Sequence, residues 1–356
     1  MLYYLLLPFT WLYTALAILR NHLYDIDLRK SVAFDLPVIN VGNLTVGGTG
    51  KTPHVEYLIR LLLKNNFQIA TLSRGYGRKT KGFLLANSDS TAETIGDESL
   101  QLWLKFRNQI TVAVGEQRIL AVPQILAERP DTQVILLDDA FQHRAIKPSL
   151  NILLTDYNRL FYKDVALPAG RLRESRHSAK RADVVIVTKC PPNLLATEKQ
   201  TIIQNIQPYT RPKTPIFFSA IRYGMPQPIF KANSTWQMPS LKKSTSIVLV
   251  TGIAQPQPLV NYIQQNFTLQ KHFQFPDHYH YQTRDWQRIV QYFQENATSE
   301  SLILTTEKDF VKISQPAFES LLRNIPLFYQ PMEIYFLENE TQFEHIILEN
   351  CNFVKA

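Results

Sequence analysis

The stretch Gly47-Gly48-Thr49-Gly50-Lys51-Thr52-Pro53, directly behind the mostly apolar run 36–41, constrains this chain more than any other feature. An extended segment that turns through glycines into a helix start is a phosphate cradle. The glycines let successive backbone N–H groups converge on an anion, and the new helix adds its positive end. Gly47, Gly48, Thr49 and Gly50 then form the cradle, Lys51 reaches the outer phosphates and Thr52 ligates Mg²⁺. Pro53 fits, because a first-turn N–H has no helical partner. Val55, Leu58, Ile59, Leu61 and Leu62 supply the helix with a buried stripe. The loop departs from G-x-x-x-x-G-K-[ST] at Thr45, with Gly42 standing earlier. A glycine-rich turn without a ligand is the bland alternative.

At 356 residues the chain has room for two ordinary domains. Its 38 Lys and Arg against 30 Asp and Glu leave a formal charge of +8, which favours an acidic partner. The cations are dispersed, with no long basic face interleaved with aromatics, so nucleic acid is poorly supported. Cys190 and Cys351 are the only cysteines, which excludes a disulfide framework and zinc-type spacing and fits a reducing compartment.

Residues 1–19 contain no charged side chain; Arg20, His22, Arg29 and Lys30 follow. Three readings stand: a helix on or partly in a membrane surface, a single span, and a helix buried on the soluble body. The segment lacks the basic start of a cleavable signal. Its tyrosines, Trp11, two threonines and Pro8 make it wetter than a typical span, and the cations behind it suit anionic lipid.

Apolar runs at 37–41, 69–73, 110–114, 134–137, 151–155 and 184–188 read as parallel strands covered on both faces. They alternate with helical patterns at 54–63, 98–106 and 118–128. The expected class is therefore α/β: a P-loop NTPase-type α/β/α core, a second, smaller α/β domain and an N-terminal membrane-associated helix. The expected boundaries are 1–24 for the helix, 25–225 for the core, 226–245 for a linker or hairpin region and 246–356 for the second domain. In that last part, strands are expected at 246–251, 302–305 and 333–337, and helices near 259–267 and 283–293.

Val134-Ile135-Leu136-Leu137-Asp138-Asp139 is a strand ending in two carboxylates, at the sheet end where the Lys51 turn also lies. One of Asp138 and Asp139 should hold Mg²⁺ opposite Thr52. His143, just beyond, either orients a carboxylate, contacts a phosphate or is structural. Asp97, at the start of a helix, either caps it or takes the proton of a substrate hydroxyl during phosphoryl transfer. Arg74, in a basic loop with two glycines, and Arg171 and Arg173, in Leu167-Pro168-Ala169-Gly170-Arg171-Leu172-Arg173-Glu174, can grip phosphate in bidentate fashion or lie on solvated surface. Thr188-Lys189 is a poor match to the guanine-reading N-K-x-D. His278 and Lys308 are candidates to enter the cleft from the second domain.

With these residues in place, the chain resembles the tetraacyldisaccharide 4'-kinases, the lipid A precursor kinases of Gram-negative bacteria. The resemblance rests on Gly42-Asn43-Leu44-Thr45-Val46 leading into the phosphate loop, Ser73-Arg74-Gly75-Tyr76-Gly77, Gly96-Asp97-Glu98 and Leu137-Asp138-Asp139-Ala140-Phe141-Gln142-His143. It continues through the segment 167–174, Val250-Thr251-Gly252-Ile253-Ala254, Phe275-Pro276-Asp277-His278 and Thr305-Thr306-Glu307-Lys308-Asp309. It implies ATP- and Mg²⁺-dependent phosphorylation of the 4'-hydroxyl of a tetraacyldisaccharide 1-phosphate. It also implies that Asp97 activates that hydroxyl with help from His278, and that Asp138 and Asp139 serve the metal. Arg74, His143, Arg171, Arg173, Glu174 and Lys308 become substrate or phosphate candidates. The implied setting is the cytoplasmic face of the inner membrane, peripheral or with one N-terminal span, with no obligate protein partner indicated. Rival readings are another membrane-associated P-loop phosphotransferase or ATPase, and a nucleotide-dependent membrane scaffold.

Overall fold

The computed structural model describes residues 2–230, 243–314 and 316–353. The chain opens with α1 (Leu2–Asp25) and then alternates: β1 (Val38–Asn43), α2 (Lys51–Lys64), β2 (Ile69–Ser73), β3 (Leu84–Leu85), α3 (Ala92–Ile95), α4 (Asp97–Phe106), β4 (Thr111–Val114), α5 (Arg118–Glu128) and β5 (Val134–Asp138). It continues with β6 (Leu150–Asp156), β7 (Val184–Thr188), α6 (Ala196–Ile206), β8 (Ile216–Tyr223) and β9 (Gln227–Pro228). The last part holds β10 (Ser246–Thr251), α7 (Gln257–Asn266), β11 (Thr268–Gln274), α8 (Thr283–Asn296), β12 (Ser301–Thr306), α9 (Glu307–Ile313), α10 (Pro316–Leu322), β13 (Leu327–Gln330), β14 (Met332–Phe336) and α11 (Glu340–Phe353). The class is α/β.

Two compact units result: 1–222 with 334–356, and 223–333. The first is built on a nine-stranded sheet in the order β14-β8-β7-β6-β1-β5-β2-β4-β3. Its strands from β8 through β4 run parallel, and β3 pairs antiparallel at the edge. β1 is central and buried along its length, which explains its near-continuous apolar sequence. Its two polar side chains are Asn40 and Asn43, and Asn40 lies in register with Asn151 of β6 and donates to its Oδ1 at 2.6 Å. α2 buries Val55, Leu58, Ile59, Leu61 and Leu62 against β1 and its neighbours, as the spacing predicts. After β1 the chain fills one side of the sheet and later crosses to β6 on the other. The carboxyl end of β1 is thus the switch point at which an open α/β sheet leaves a crevice.

The second unit has a five-stranded sheet, β11-β10-β12-β13-β9, parallel except for the β13–β9 pair. Two expected boundaries shift. The second domain expected over 246–356 ends earlier, because β14 joins β8 at the edge of the first sheet and Phe343 and Ile347 of α11 enter the first core. Of the expected linker 226–245, Gln227 and Pro228 pair with β13, and 231–242 lie outside the described residues.

α1 packs one side on the first unit. Ala169 donates its N–H to Thr10 Oγ1 at 3.0 Å, Tyr13 donates to the Arg173 carbonyl at 2.9 Å, and Asp25 pairs with Arg144 at 2.8 Å. Leu5, Phe9, Leu12, Leu16 and Leu19 remain exposed on another side. The buried-helix reading therefore fails for this face. Among the described residues, no helix is long and apolar enough to cross a membrane, so the single-span reading has no helix to carry it.

Candidate active site

The phosphate loop leaves β1 at Asn43, whose side-chain amide donates to the Thr45 carbonyl at 2.8 Å and to Thr49 Oγ1 at 2.9 Å. Gly50 is the N-cap of α2 with φ +83°, a conformation open to glycine at little cost. Lys51 begins the helix, and its Nζ stands 3.7 Å from Asp139 Oδ1. Thr52 follows in the first turn, half-buried.

β5 delivers the two carboxylates to the same sheet end. Asp139 is held from outside by Arg173, whose Nη1 donates to its two oxygens at 2.9 and 3.0 Å and to Gln142 Oε1 at 3.3 Å. Gln142 in turn donates to the Asn43 carbonyl at 2.9 Å, which ties this segment to β1. Asp138 is buried, and its Oδ1 has no hydrogen-bond partner. Burial, reinforced by nearby Glu98 and opposed by Lys51, pushes its carboxyl up to about 7. A buried carboxylate with an unpartnered oxygen, followed at once by a second carboxylate, supplies hard-oxygen donors of the kind Mg²⁺ takes.

Asp97 is the first residue of α4 and is buried, while the N-cap position belongs to Gly96 and no side-chain cap bond is made there. Gly96 has φ +85°, and a Cβ there would come within 2.8 Å of the Tyr76 carbonyl, so the two glycine-containing loops press together at this point. Ser73 and Ser99 hydrogen bond at 2.8 Å and join the same loops.

His143 is half-buried, and its Nε2 has no hydrogen-bond partner. Burial, then the cations Arg118, Arg20 and Arg74, hold its pKa down to about 4, so the ring is neutral near pH 7. Two acid–base neighbours were not singled out from the sequence. Arg118 starts α5, is buried, and feels Asp139, Arg74 and Asp138. Glu98, quoted only as part of a motif, acts on Asp138. Arg118 follows β4 as Lys51 follows β1, and that position at a strand's carboxyl end was the signal available.

Lys51, Asp138, Asp139, Arg173, His143 and Arg74 thus converge on one end of the first sheet. Arg171 is exposed, and its carbonyl accepts the Val46 N–H at 2.8 Å. Glu174 is turned away from solvent and binds Arg181 at 2.7 Å and Asn21 at 3.2 Å, which makes it a tie between α1 and the first unit. In the second unit, Lys308 Nζ lies 3.1 Å from Asp277 Oδ1 and 3.2 Å from His278 Nε2.

The family model described as tetraacyldisaccharide-1-P 4'-kinase (LpxK) matches residues 2–352. The tetraacyldisaccharide 4'-kinase of Bacteroides thetaiotaomicron is 44% identical over 354 residues, covering 96% of this chain and 92% of that one. The enzyme of that name in Flavobacterium psychrophilum is 43% identical over 352 residues, covering 99% and 96%. Among solved structures, the "apo" form of LpxK from Aquifex aeolicus in complex with ATP superposes with a TM-score of 0.74 at 29% identity, covering 98% of this chain and 99% of that one.

Proposed function

Because the chain belongs to the tetraacyldisaccharide-1-P 4'-kinase family, we propose a mechanism in which its phosphate loop presents ATP to a lipid-borne sugar hydroxyl. The protein is an ATP-dependent kinase acting on tetraacyldisaccharide 1-phosphate in lipid A biosynthesis. The observation that carries the mechanism is the meeting of Lys51 with the Asp138-Asp139 strand end inside a P-loop NTPase-type core.

The amides of the Gly47–Gly50 turn and Lys51 bind the β- and γ-phosphates. The 4'-oxygen attacks the γ-phosphorus, the bond from that phosphorus to the β,γ-bridging oxygen breaks, and ADP leaves with that electron pair. Asp97 takes the hydroxyl proton. Its burial at the start of α4 supports this role, as does the resemblance, which also gives His278 as its helper. Thr52, Asp138 and Asp139 would hold Mg²⁺, which when bound draws negative charge from the phosphates. Arg74 and Arg118 supply positive charge, and neutral His143 a ring nitrogen, suited to the substrate's own phosphate. The exposed apolar side of α1 is assigned to the membrane surface, peripheral and on the cytoplasmic side, where ATP and the acylated substrate meet.

The direct test incubates purified protein with γ-labelled ATP and tetraacyldisaccharide 1-phosphate in mixed micelles. Label on the 4'-position is expected. ATP hydrolysis that ignores the lipid, or label on another acceptor, overturns the mechanism.

A further inference from the structure

Three successive carbonyls of the phosphate loop are held from its outer side. Lys189 Nζ donates to the Gly48 carbonyl and is anchored on Asp156 Oδ2 at 2.8 Å. Thr188 Oγ1 donates to the Thr49 carbonyl at 2.9 Å. His54 Nδ1 lies 2.7 Å from the Gly50 carbonyl, and its Nε2 lies 2.9 Å from Ser219 Oγ. A carbonyl only accepts, so Nδ1 carries the proton and Nε2 accepts from the Ser219 hydroxyl. Thr188 and His54 are both buried, and Lys189, just past β7, holds a positive φ of 56°.

In a planar trans peptide the C=O of one residue and the N–H of the next point in opposite directions. Fixing the carbonyls of 48, 49 and 50 outward therefore turns the amides of 49, 50 and 51 inward. A glycine-rich loop left to itself samples many other orientations, and ordering it would be charged against nucleotide binding.

We propose that His54, Thr188 and Lys189 are positioning residues that preorganise the phosphate loop by clamping the Gly48, Thr49 and Gly50 carbonyls to β7 and β8. The inference rests on the reading that this loop holds ATP. It gives the Thr188-Lys189 pair a task other than base recognition, and none of the three side chains is assigned a contact with substrate.

The test uses the full chain as wild type, Thr188→Val, His54→Phe and His54→Asn. ATP affinity is read by calorimetry without lipid, alongside the KM for lipid and the melting temperature. Thr188→Val and His54→Phe should each weaken ATP about five- to tenfold while the KM for lipid holds, the size expected for one lost neutral hydrogen bond in a preorganised site. His54→Asn keeps an N–H donor facing Gly50 and should return to within about twofold of wild type. Unchanged ATP affinity in Thr188→Val and His54→Phe overturns the proposal. So does a loss that follows the melting temperature, raises the lipid KM equally and is not rescued by Asn. If His54→Phe does not fold, the near-isosteric Thr188→Val carries the same decision at Thr49. A wild type that binds ATP without phosphorylating the lipid, with variants still weaker for ATP, upholds the clamp and overturns the substrate reading.

Discussion

Lys51 sits at the first helical position of α2 with its ammonium 3.7 Å from Asp139, a distance that leaves it able to serve an anion as well. As the phosphoryl group moves, charge builds on its equatorial oxygens, and a fixed cation there acts mainly in the transition state. Lys51→Ala should therefore lower kcat more than it raises the KM for ATP. A loss of about 3 kcal/mol corresponds to a drop of roughly 150-fold. Turnover near wild type at saturating ATP would remove Lys51 from that role. Asp97 makes the complementary case, because its proposed work is on the acceptor. Asp97→Asn keeps volume and polarity at the first position of α4, so folding and ATP affinity should hold while kcat falls on the order of 10²–10⁴-fold. Collapse of ATP affinity together with the melting temperature would mark Asp97 as structural instead.

At the scale of elements, the carboxyl ends of β1, β2, β4, β5 and β7 lead to Lys51, Arg74, Arg118, Asp138, Asp139 and Lys189, while Asp97 opens α4 and Arg173 lies between β6 and β7. The runs at 69–73, 184–188 and 246–251 and the helix at 118–128 were legible in full, because continuous apolar stretches and 3.6-residue spacing are local signals. β8 and the return of β14 to the first sheet were not legible. Which edge a strand joins is decided by packing across more than 100 residues of intervening chain, and its own composition carries no trace of the choice. The site divides in the same way. Lys51, Asp138 and Asp139 announce themselves by their place after apolar runs, as Arg118 does after β4, whereas the loop clamps emerge only once the strands are side by side. His54 illustrates this: in sequence it is one more residue on α2, yet burial holds its pKa down to about 4 from 6.5. Between those values the unfolded chain binds a proton that the native state refuses. Stability is whole above about pH 6.5, falls as pH drops through that window and levels off below 4, a total near 3 kcal/mol from this residue. His54→Asn removes the titration. Urea unfolding at pH 7.5 and 4.5 should show wild type losing about 2 kcal/mol more than the variant. Equal losses in the two proteins would mean that His54 is protonated in the native state.

At the scale of the whole molecule, the second unit is an insertion: the chain leaves the first unit after Arg222 and returns at Ile334, through β8 and β14, which are neighbours in one sheet. α1 belongs to the first unit, so the element assigned to the membrane and the phosphate loop are parts of one body. Its outer side is a stripe, because Leu5, Phe9, Leu12, Leu16 and Leu19 recur at alternating steps of four and three residues, and each is more than half exposed. The opposite side is fixed by Thr10, Asn21 and Asp25. A stripe of large apolar side chains in water is costly, and burying one leucine in an acyl layer is worth about 1.5–3 kcal/mol. The formal charge of +8 adds attraction to anionic headgroups, which salt weakens while leaving the apolar contribution in place. Leu12→Glu with Leu16→Glu should therefore cut sedimentation with phosphatidylglycerol vesicles by at least about tenfold at 0.5 M salt, and lower activity on vesicle-borne substrate by a similar factor. Activity on substrate dispersed in detergent should stay close to wild type, since neither leucine lines the phosphate site. Vesicle binding that survives both substitutions would assign the membrane contact to another surface.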